Sequence, residues 1–495
     1  MVVVGTDAMY DRDQLFIGGR WRKSEGGRRT TMVSPHSEEV IGSTVLASEA
    51  DVDAAVAAAR AAFDYGPWTE FTAEQRIELV TRFGELYQTR MNEISELISL
   101  ETGSPISFAM VAQGPPAWLT ITTMLEFARR VQWEETRAGA LGGEFVVRRE
   151  PVGVIGAIVP WNVPQGLTMP KLAAALLTGC TIVIKPSPET ALDALVLAEV
   201  VEAAGIPEGV VSILPGGGEV GEHLVRHPGV DKIAFTGSTD IGRRIGAICG
   251  EQLKRVSLEL GGKSAAILLE DVDLEAAVAG LKVVGLMNNG QICAAQTRIL
   301  APRSRYGEVV DALAEMVSNL TIGDPADPAT EMGPLVSERQ QQRVAKYIAL
   351  GQEEGAKVAA GGDGRPNGTS KGWYVRPTVF AGDNSMCVAR EEIFGPVLTV
   401  IPYEDEADAI DIANDSPYGL AGSVWTVDAA RGMDVARQVR AGTYGINTYT
   451  SDLNGPFGGF KSSGIGREWG PEGLASYLEF KTIVDGSLSI GTNLG

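Results

Sequence analysis

Histidine and cysteine are scarce in this chain, three and four in 495 residues, and basic residues are outnumbered by acidic ones, 42 Lys and Arg against 63 Asp and Glu. Each shortage closes a class of function. A net charge of −21 leaves no basic surface to hold phosphate backbones, so no nucleic-acid partner is expected. Cys180, Cys249, Cys293 and Cys387 lie far apart with no Cys-x-x-Cys spacing, which argues against a disulfide framework and fits a reducing cytoplasm. No uninterrupted apolar run reaches the roughly 18 residues of a membrane-spanning helix. The opening MVVVGTDAMYDRD lacks the basic start and apolar stretch of a signal peptide, so a cytoplasmic location without a membrane partner is expected. His223 and His227 stand i, i+4 on a predicted helix and could share a metal. With no HExxH motif and no third ligand, none is expected.

A chain this long exceeds what one hydrophobic core serves, so two or three domains are expected. Apolar residues flank Gly18-Gly19 in LFIGGRW, a hairpin signal. Ser48-x-x-Asp51 reads as a capping box ahead of Val52, Val56, Ala59 and Phe63 at helical spacing, and 72–101 continue as helix. From about 152, short β-rich runs (VGVIGAIV, TIVIK, VVSIL, KIAFTG) alternate with helices starting near 168, 190 and 219. That alternation predicts a parallel sheet with a ligand at the carboxyl ends of its strands. FVVRREP, just before it, is a strand ending at a proline that could add to this sheet or leave the domain, and the second is expected. A second α/β stretch follows LELGGKSAAILL, with helices over 273–289, 305–319 and 338–355 and a strand near 297–301. GGDGRPNGTSKG (361–372) reads as a surface loop and SYLEFKTI as a final strand.

Four segments carry chemistry. GQICAAQ places Cys293 in polar, glycine-punctuated sequence where packing has no need of a thiol, and a thiolate attacks carbonyls well near neutral pH. The other cysteines read as small buried hydrophobes. With so few histidines, the acid–base work falls to a carboxylate. Glu259, in the apolar strand VSLELGGKS, is either that base or a carboxylate capping a turn. Asn162, in PWN after a strand, could donate to an oxyanion or serve as a turn residue. For nucleotide binding, Lys185 ends TIVIK where its ammonium can reach ribose or phosphate. Gly237 and Ser238 in FTGSTDIG stand where a strand becomes a helix, a natural pyrophosphate site. GGGEVG matches G-x-G-x-x-G at Gly216, Gly218 and Gly221, but in the third βα turn, which suits the adenine side better than the pyrophosphate.

Together LELGGKS, GQIC, PWN, KPSPET, FTGST, EEIFGPV and PFGGFKSSGIGRE, in this order and spacing, resemble the aldehyde dehydrogenase family from about residue 15 to 482. The resemblance implies an α/β fold with a Rossmann-like cofactor domain (1–131 and 152–261), an α/β catalytic domain (262–465) and a small β oligomerisation element (132–151 and 466–495), assembled as a homo-oligomer, a dimer or a tetramer. It implies NAD(P)-dependent oxidation of a small-molecule aldehyde to an acid: Cys293 as nucleophile forming a thiohemiacetal and then a thioester, Glu259 as general base for water, and Asn162 with the Cys293 N–H as oxyanion hole. Cofactor contacts would come from Trp161, Lys185, Pro188, Gly218, Gly237, Ser238, Gly242, Leu260, Glu392 and Phe394. Many NAD-preferring members carry Glu three residues after the ribose lysine, where this chain has Pro188, with Glu189 next. NAD is expected, with NADP possible, because an acidic residue remains nearby and no arginine sits there for a 2′-phosphate. Small residues at 163–166 suggest a roomy aldehyde entrance, for medium-chain or aromatic aldehydes. Three rivals stand beside this reading: a non-catalytic member, an acyl-transferring enzyme, which commonly lacks the Glu at 259, and an esterase.

Overall fold

The computed structural model describes residues 10–140 and 142–484. The last residues of the expected C-terminal oligomerisation segment, 485–495, lie outside the described residues, as do 1–9 at the amino end. The fold is α/β, organised around two large sheets.

The first sheet has eight strands. Its five parallel strands run in the spatial order Arg255–Glu259, Lys232–Thr236, Val154–Ile158, Thr181–Lys185, Val211–Ile213. The first of them in sequence, Val154–Ile158, therefore sits in the middle, and the winding reverses between it and Lys232–Thr236. In doubly wound sheets a ligand crevice opens beyond the carboxyl ends at such a reversal. All five residues of Val154–Ile158 and of Thr181–Lys185 are buried, and both read as continuous apolar runs because helices cover both faces. The hairpin Gln14–Ile17 and Arg20–Lys23 closes one edge through Gly18 and Gly19, both at positive φ (60° and 80°). Gly464–Ile465, from the segment expected in the catalytic domain, closes the other by pairing with Leu258 and Glu259.

The second sheet has seven strands, parallel except at the edge Lys357–Ala360, with Ser264–Leu268, Gln296–Pro302 and Val397–Tyr403 inside it. The chain passes directly from Glu259, which ends the last parallel strand of one sheet, to Ser264, which begins the first strand of the other. Carboxyl ends of the first sheet therefore adjoin amino ends of the second. FVVRREP does leave both sheets: Glu144–Pro151 pairs antiparallel with Glu134–Ala138 and Leu478–Ile483 in a separate three-stranded sheet.

The helix Glu49–Asp64 starts at the expected capping box. Ser48 Oγ accepts from Asp51 N (3.3 Å), and Asp51 Oδ2 accepts from Ser48 N (2.8 Å). Asp51 also accepts from Glu25 N (2.9 Å) and from Ser24, so one buried carboxylate ties the helix start to the incoming loop. Asp51→Ala leaves those donors unpaired. It should cost about 2 kcal/mol and lower the calorimetric unfolding midpoint, whereas an unchanged midpoint would show the box to be dispensable.

Candidate active site

At the winding reversal lies a cavity of about 900 Å³. It is lined by Pro160, Trp161 and Asn162 after the middle strand, by Thr236–Asp240 after its neighbour, by Glu259 and Leu260, by Cys293, and by Glu392 and Phe394.

Cys293 is held by an unusual turn. Asn288, Asn289 and Gly290 all have positive φ (52°, 61° and 74°), a strained geometry for the two asparagines that the surroundings must impose. They do so with hydrogen bonds. Asn289 Nδ2 donates to the carbonyls of Gly103 (2.9 Å) and Pro334 (2.8 Å), while its Oδ1 accepts from Gly333 N (2.7 Å). Asn288 Nδ2 donates to the Asn162 carbonyl (2.9 Å), which also accepts from Gln113. A Cβ on Gly290 would lie 2.3 Å from the Gly395 carbonyl carbon, so only glycine fits there. Asn162 Nδ2 donates to the carbonyl of Gln291 (2.9 Å), two residues before the thiol, and its amide has a second N–H to offer.

The two glycines of LELGGKS each answer a close approach. A Cβ on Gly261 would fall 2.4 Å from Glu392 Oε2, and one on Gly262 would fall 2.5 Å from the Cys293 carbonyl oxygen. Glu392 Oε1 accepts from Gly262 N (3.1 Å). Phe394, at φ 63°, meets the edge of Trp161 with ring centroids 5.5 Å apart.

Charge is expensive in this cavity. Burial pushes the Cys293 thiol up to about 12, helped by the Glu392 and Glu259 charges. Burial and then Glu468 hold the Glu259 carboxyl well above the usual range, and neither of its oxygens has a hydrogen-bond partner. Burial raises Glu392 to about 7 against the pull of the Gly262 N–H. Behind Glu259 lies a buried ion pair, Lys171 Nζ to Glu468 Oε1 at 2.6 Å, with Lys171 also donating to Thr236 Oγ1 (2.9 Å) and the Leu167 carbonyl (2.9 Å).

Of the expected cofactor residues, Trp161, Gly237, Ser238, Leu260, Glu392 and Phe394 line the cavity; Lys185, Pro188, Gly218 and Gly242 do not. Gly242 has a packing role, since a Cβ there would lie 2.4 Å from Leu260 Cδ2. Lys185 ends its strand buried, donating to the carbonyls of Pro186 (2.9 Å) and Gly216 (2.6 Å), and its side chain runs beneath Gly221. The G-x-G-x-x-G turn thus cradles Lys185, with Gly218 facing open space. Pro188 opens a short 3-10 turn. Sequence reasoning placed a helix over 338–355 but missed the part that Glu338–Glu353 takes in the site. Its Gln340 donates to the Phe394 carbonyl (2.7 Å) and its Arg343 to the carbonyls of Glu392 (2.6 Å) and Ile393 (3.2 Å), fixing EEIFGP from behind. The same helix brings an arginine to the KPSPET turn, Arg339 Nη2 lying 3.3 Å from Glu189 Oε1. Gln165, expected at the aldehyde entrance, instead turns into the core, its amide donating to Asp193. No cluster of three or more potential metal ligands occurs among the described residues.

The family model described as the aldehyde dehydrogenase family matches residues 21–483. The chain belongs to the aldehyde dehydrogenase family. It is 45% identical over 474 residues to geranial dehydrogenase from Castellaniella defragrans (96% of this chain, 98% of the relative). It is 41% identical to 3-succinoylsemialdehyde-pyridine dehydrogenase from a Pseudomonas species (96% and 99%). Among solved structures, it resembles a Mycobacterium tuberculosis aldehyde dehydrogenase complexed with NAD+ (TM-score 0.95, 50% identity, 98% and 99% covered). It also resembles a Cys-to-Ala variant of a Pseudomonas syringae aldehyde dehydrogenase complexed with NAD+ and octanal (TM-score 0.92, 40% identity, 95% and 96% covered). As an aldehyde dehydrogenase, the chain is an enzyme of aldehyde oxidation.

The raised thiol has a direct consequence. Far below its pKa the thiolate fraction grows about tenfold per pH unit. Alkylation of Cys293 by iodoacetamide in the cofactor-free enzyme, followed by peptide mass spectrometry, should climb at that rate from about pH 7 to about pH 9 without levelling. A plateau below about pH 8 would contradict the burial effect.

Proposed function

We propose that this chain oxidises medium-chain or aromatic aldehydes to carboxylic acids with NAD, by covalent catalysis on Cys293. The observation that carries this reading is the convergence of Cys293, Glu259 and Asn162 on one cavity, brought from three separate elements. That cavity also suits a dinucleotide. Ser238 caps the helix Thr239–Glu251 without a side-chain hydrogen bond, leaving the helix's first N–H groups free for a pyrophosphate. Trp161 and Phe394 offer apolar rings for the nicotinamide end, with Glu392 for its ribose and Lys185 for the adenosine ribose. The nicotinamide, when bound, supplies the hydride acceptor.

The rest falls to the chain's own groups. The Cys293 sulfur adds to the aldehyde carbon, and the developing oxyanion is met by the free N–H of Asn162 and the backbone N–H of Cys293. Loss of hydride leaves a thioester on the sulfur. Glu259, whose oxygens make no competing hydrogen bond, takes a proton from the water that hydrolyses it. The Lys171–Glu468 pair positions Glu259 electrostatically, Glu468 favouring its protonated form and Lys171 its charged form. A carboxylate at 259 favours hydrolysis over acyl transfer, and an intact set of three favours catalysis over a structural role.

The aldehyde would sit against the apolar cluster that includes Ile292, Leu420, Tyr449, Phe457 and Trp469 around the thiol. The relatives named for geranial and crystallised with octanal act on or hold aldehydes well beyond acetaldehyde in size, in keeping with this. The division into a cofactor domain (1–131, 152–261), a catalytic domain (262–465) and an oligomerisation element (132–151, 466–495) belongs to the same proposal. So does a homo-oligomer formed through the three-stranded sheet, whose outer strand exposes Phe480 and Ile483.

The test is NADH formation across an aldehyde series. Octanal and benzaldehyde should exceed acetaldehyde in kcat/KM; Cys293→Ala should lose at least about 10³-fold and Glu259→Gln about 10² to 10⁴-fold. A wild type inactive with every aldehyde, or a fully active Cys293→Ala, would overturn the reading.

A further inference from the structure

The adenosine end of the cofactor groove departs from a simple NAD site. Pro188, three residues after Lys185, offers no side-chain hydrogen-bonding group, so any carboxylate that meets the ribose hydroxyls must be another. Among the charges acting on the Lys185 ammonium, Glu189 comes first and Glu219 second. Glu189 is therefore the nearest acidic candidate in charge terms, with one oxygen accepting from the Ser187 hydroxyl. Left alone, such a carboxylate would accept from ribose hydroxyls and repel a 2′-phosphate, which brings up to two further negative charges. It is not left alone. Arg339, 150 residues away on the helix Glu338–Glu353, reaches its other oxygen at 3.3 Å and itself lines the cavity.

Resting on the nicotinamide-dinucleotide reading above, we propose that Arg339 and Glu189 form an exchangeable pair that lets this enzyme accept both NAD and NADP. With NAD, Glu189 accepts from the ribose hydroxyls while Arg339 stays beside it. With NADP, Arg339 leaves Glu189 and takes the 2′-phosphate, for which a planar guanidinium with paired N–H groups is the best-fitting side chain. The exchange is cheap because the Arg339 side chain is 83% exposed, and ion pairs that exposed hold their partners only weakly. Arg343 and Lys346, one and two turns further along the same helix, also line the cavity, so this face stays cationic in a chain of net charge −21. The selectivity device is thus assembled from a strand-end turn and a helix of the other half of the chain, and the KPSPET motif shows only one side of it.

Binding of NAD and NADP to the full-length cofactor-free enzyme, by titration calorimetry at low ionic strength, tests this without relying on turnover. The wild type should bind both, with dissociation constants within about tenfold of each other. Relative to it, Arg339→Ala should shift the preference toward NAD by at least about fivefold, and Glu189→Gln should shift it toward NADP by at least about fivefold. The kcat/KM ratios for the two cofactors should move in parallel. Smaller shifts, shifts in the same direction in both variants, or a wild type that binds only one dinucleotide would overturn the exchangeable pair. A wild type that binds neither would overturn the cofactor reading on which it rests.

Discussion

Three consecutive left-handed residues, Asn288, Asn289 and Gly290, are the constraint on which the site depends. Each asparagine there costs on the order of 1 kcal/mol or more of backbone strain, so the turn persists only because the surroundings hold both side-chain amides. Asn289 binds the Gly103, Gly333 and Pro334 backbone, and Asn288 binds the carbonyl of Asn162. These bonds stitch a turn of the second half of the chain to the end of the helix Ala73–Thr102 and to the carboxyl end of the first sheet. The same contacts that pay for the strain thereby set the thiol opposite Asn162 and Glu259. The glycine pair at 261 and 262 completes the approach by letting Glu392 and the Cys293 backbone close in.

A second regularity follows from burial. The Cys293 thiol and the carboxyls of Glu259 and Glu392 are pushed toward their neutral forms, which is the economical state for buried groups. Any positive charge brought into the cavity would draw these groups back toward ionisation. Lys171 and Glu468 are the contrasting case, a charged pair kept buried because each has a partner.

Much of the architecture was legible because strand and helix periodicities alternate cleanly from 152 onward, and because Ser48-x-x-Asp51 and Gly18-Gly19 act locally. The cavity lining was legible where a single segment supplies it, as in PWN, GQIC and FTGST. It was not legible where function is shared between distant elements. Arg339, Gln340 and Arg343 sit in an ordinary polar helix whose contacts with Glu189 and EEIFGP exist only after folding. Lys171 had a usable signal, a lysine inside the apolar helix Pro164–Thr178, where an unpaired charge would be costly. At Gly242 the sequence could not show the packing against Leu260, because that contact exists only after folding.

The central claim, that oxidation proceeds through a thioester on Cys293 cleared by water under the control of Glu259, is most directly tested by trapping it. Glu259→Gln mixed with NAD and octanal, quenched in acid within seconds and digested, should yield the Cys293 peptide heavier by an octanoyl group in place of the thiol hydrogen. An unmodified Cys293 peptide after measurable NADH formation, or an acyl group on another residue, would contradict the account.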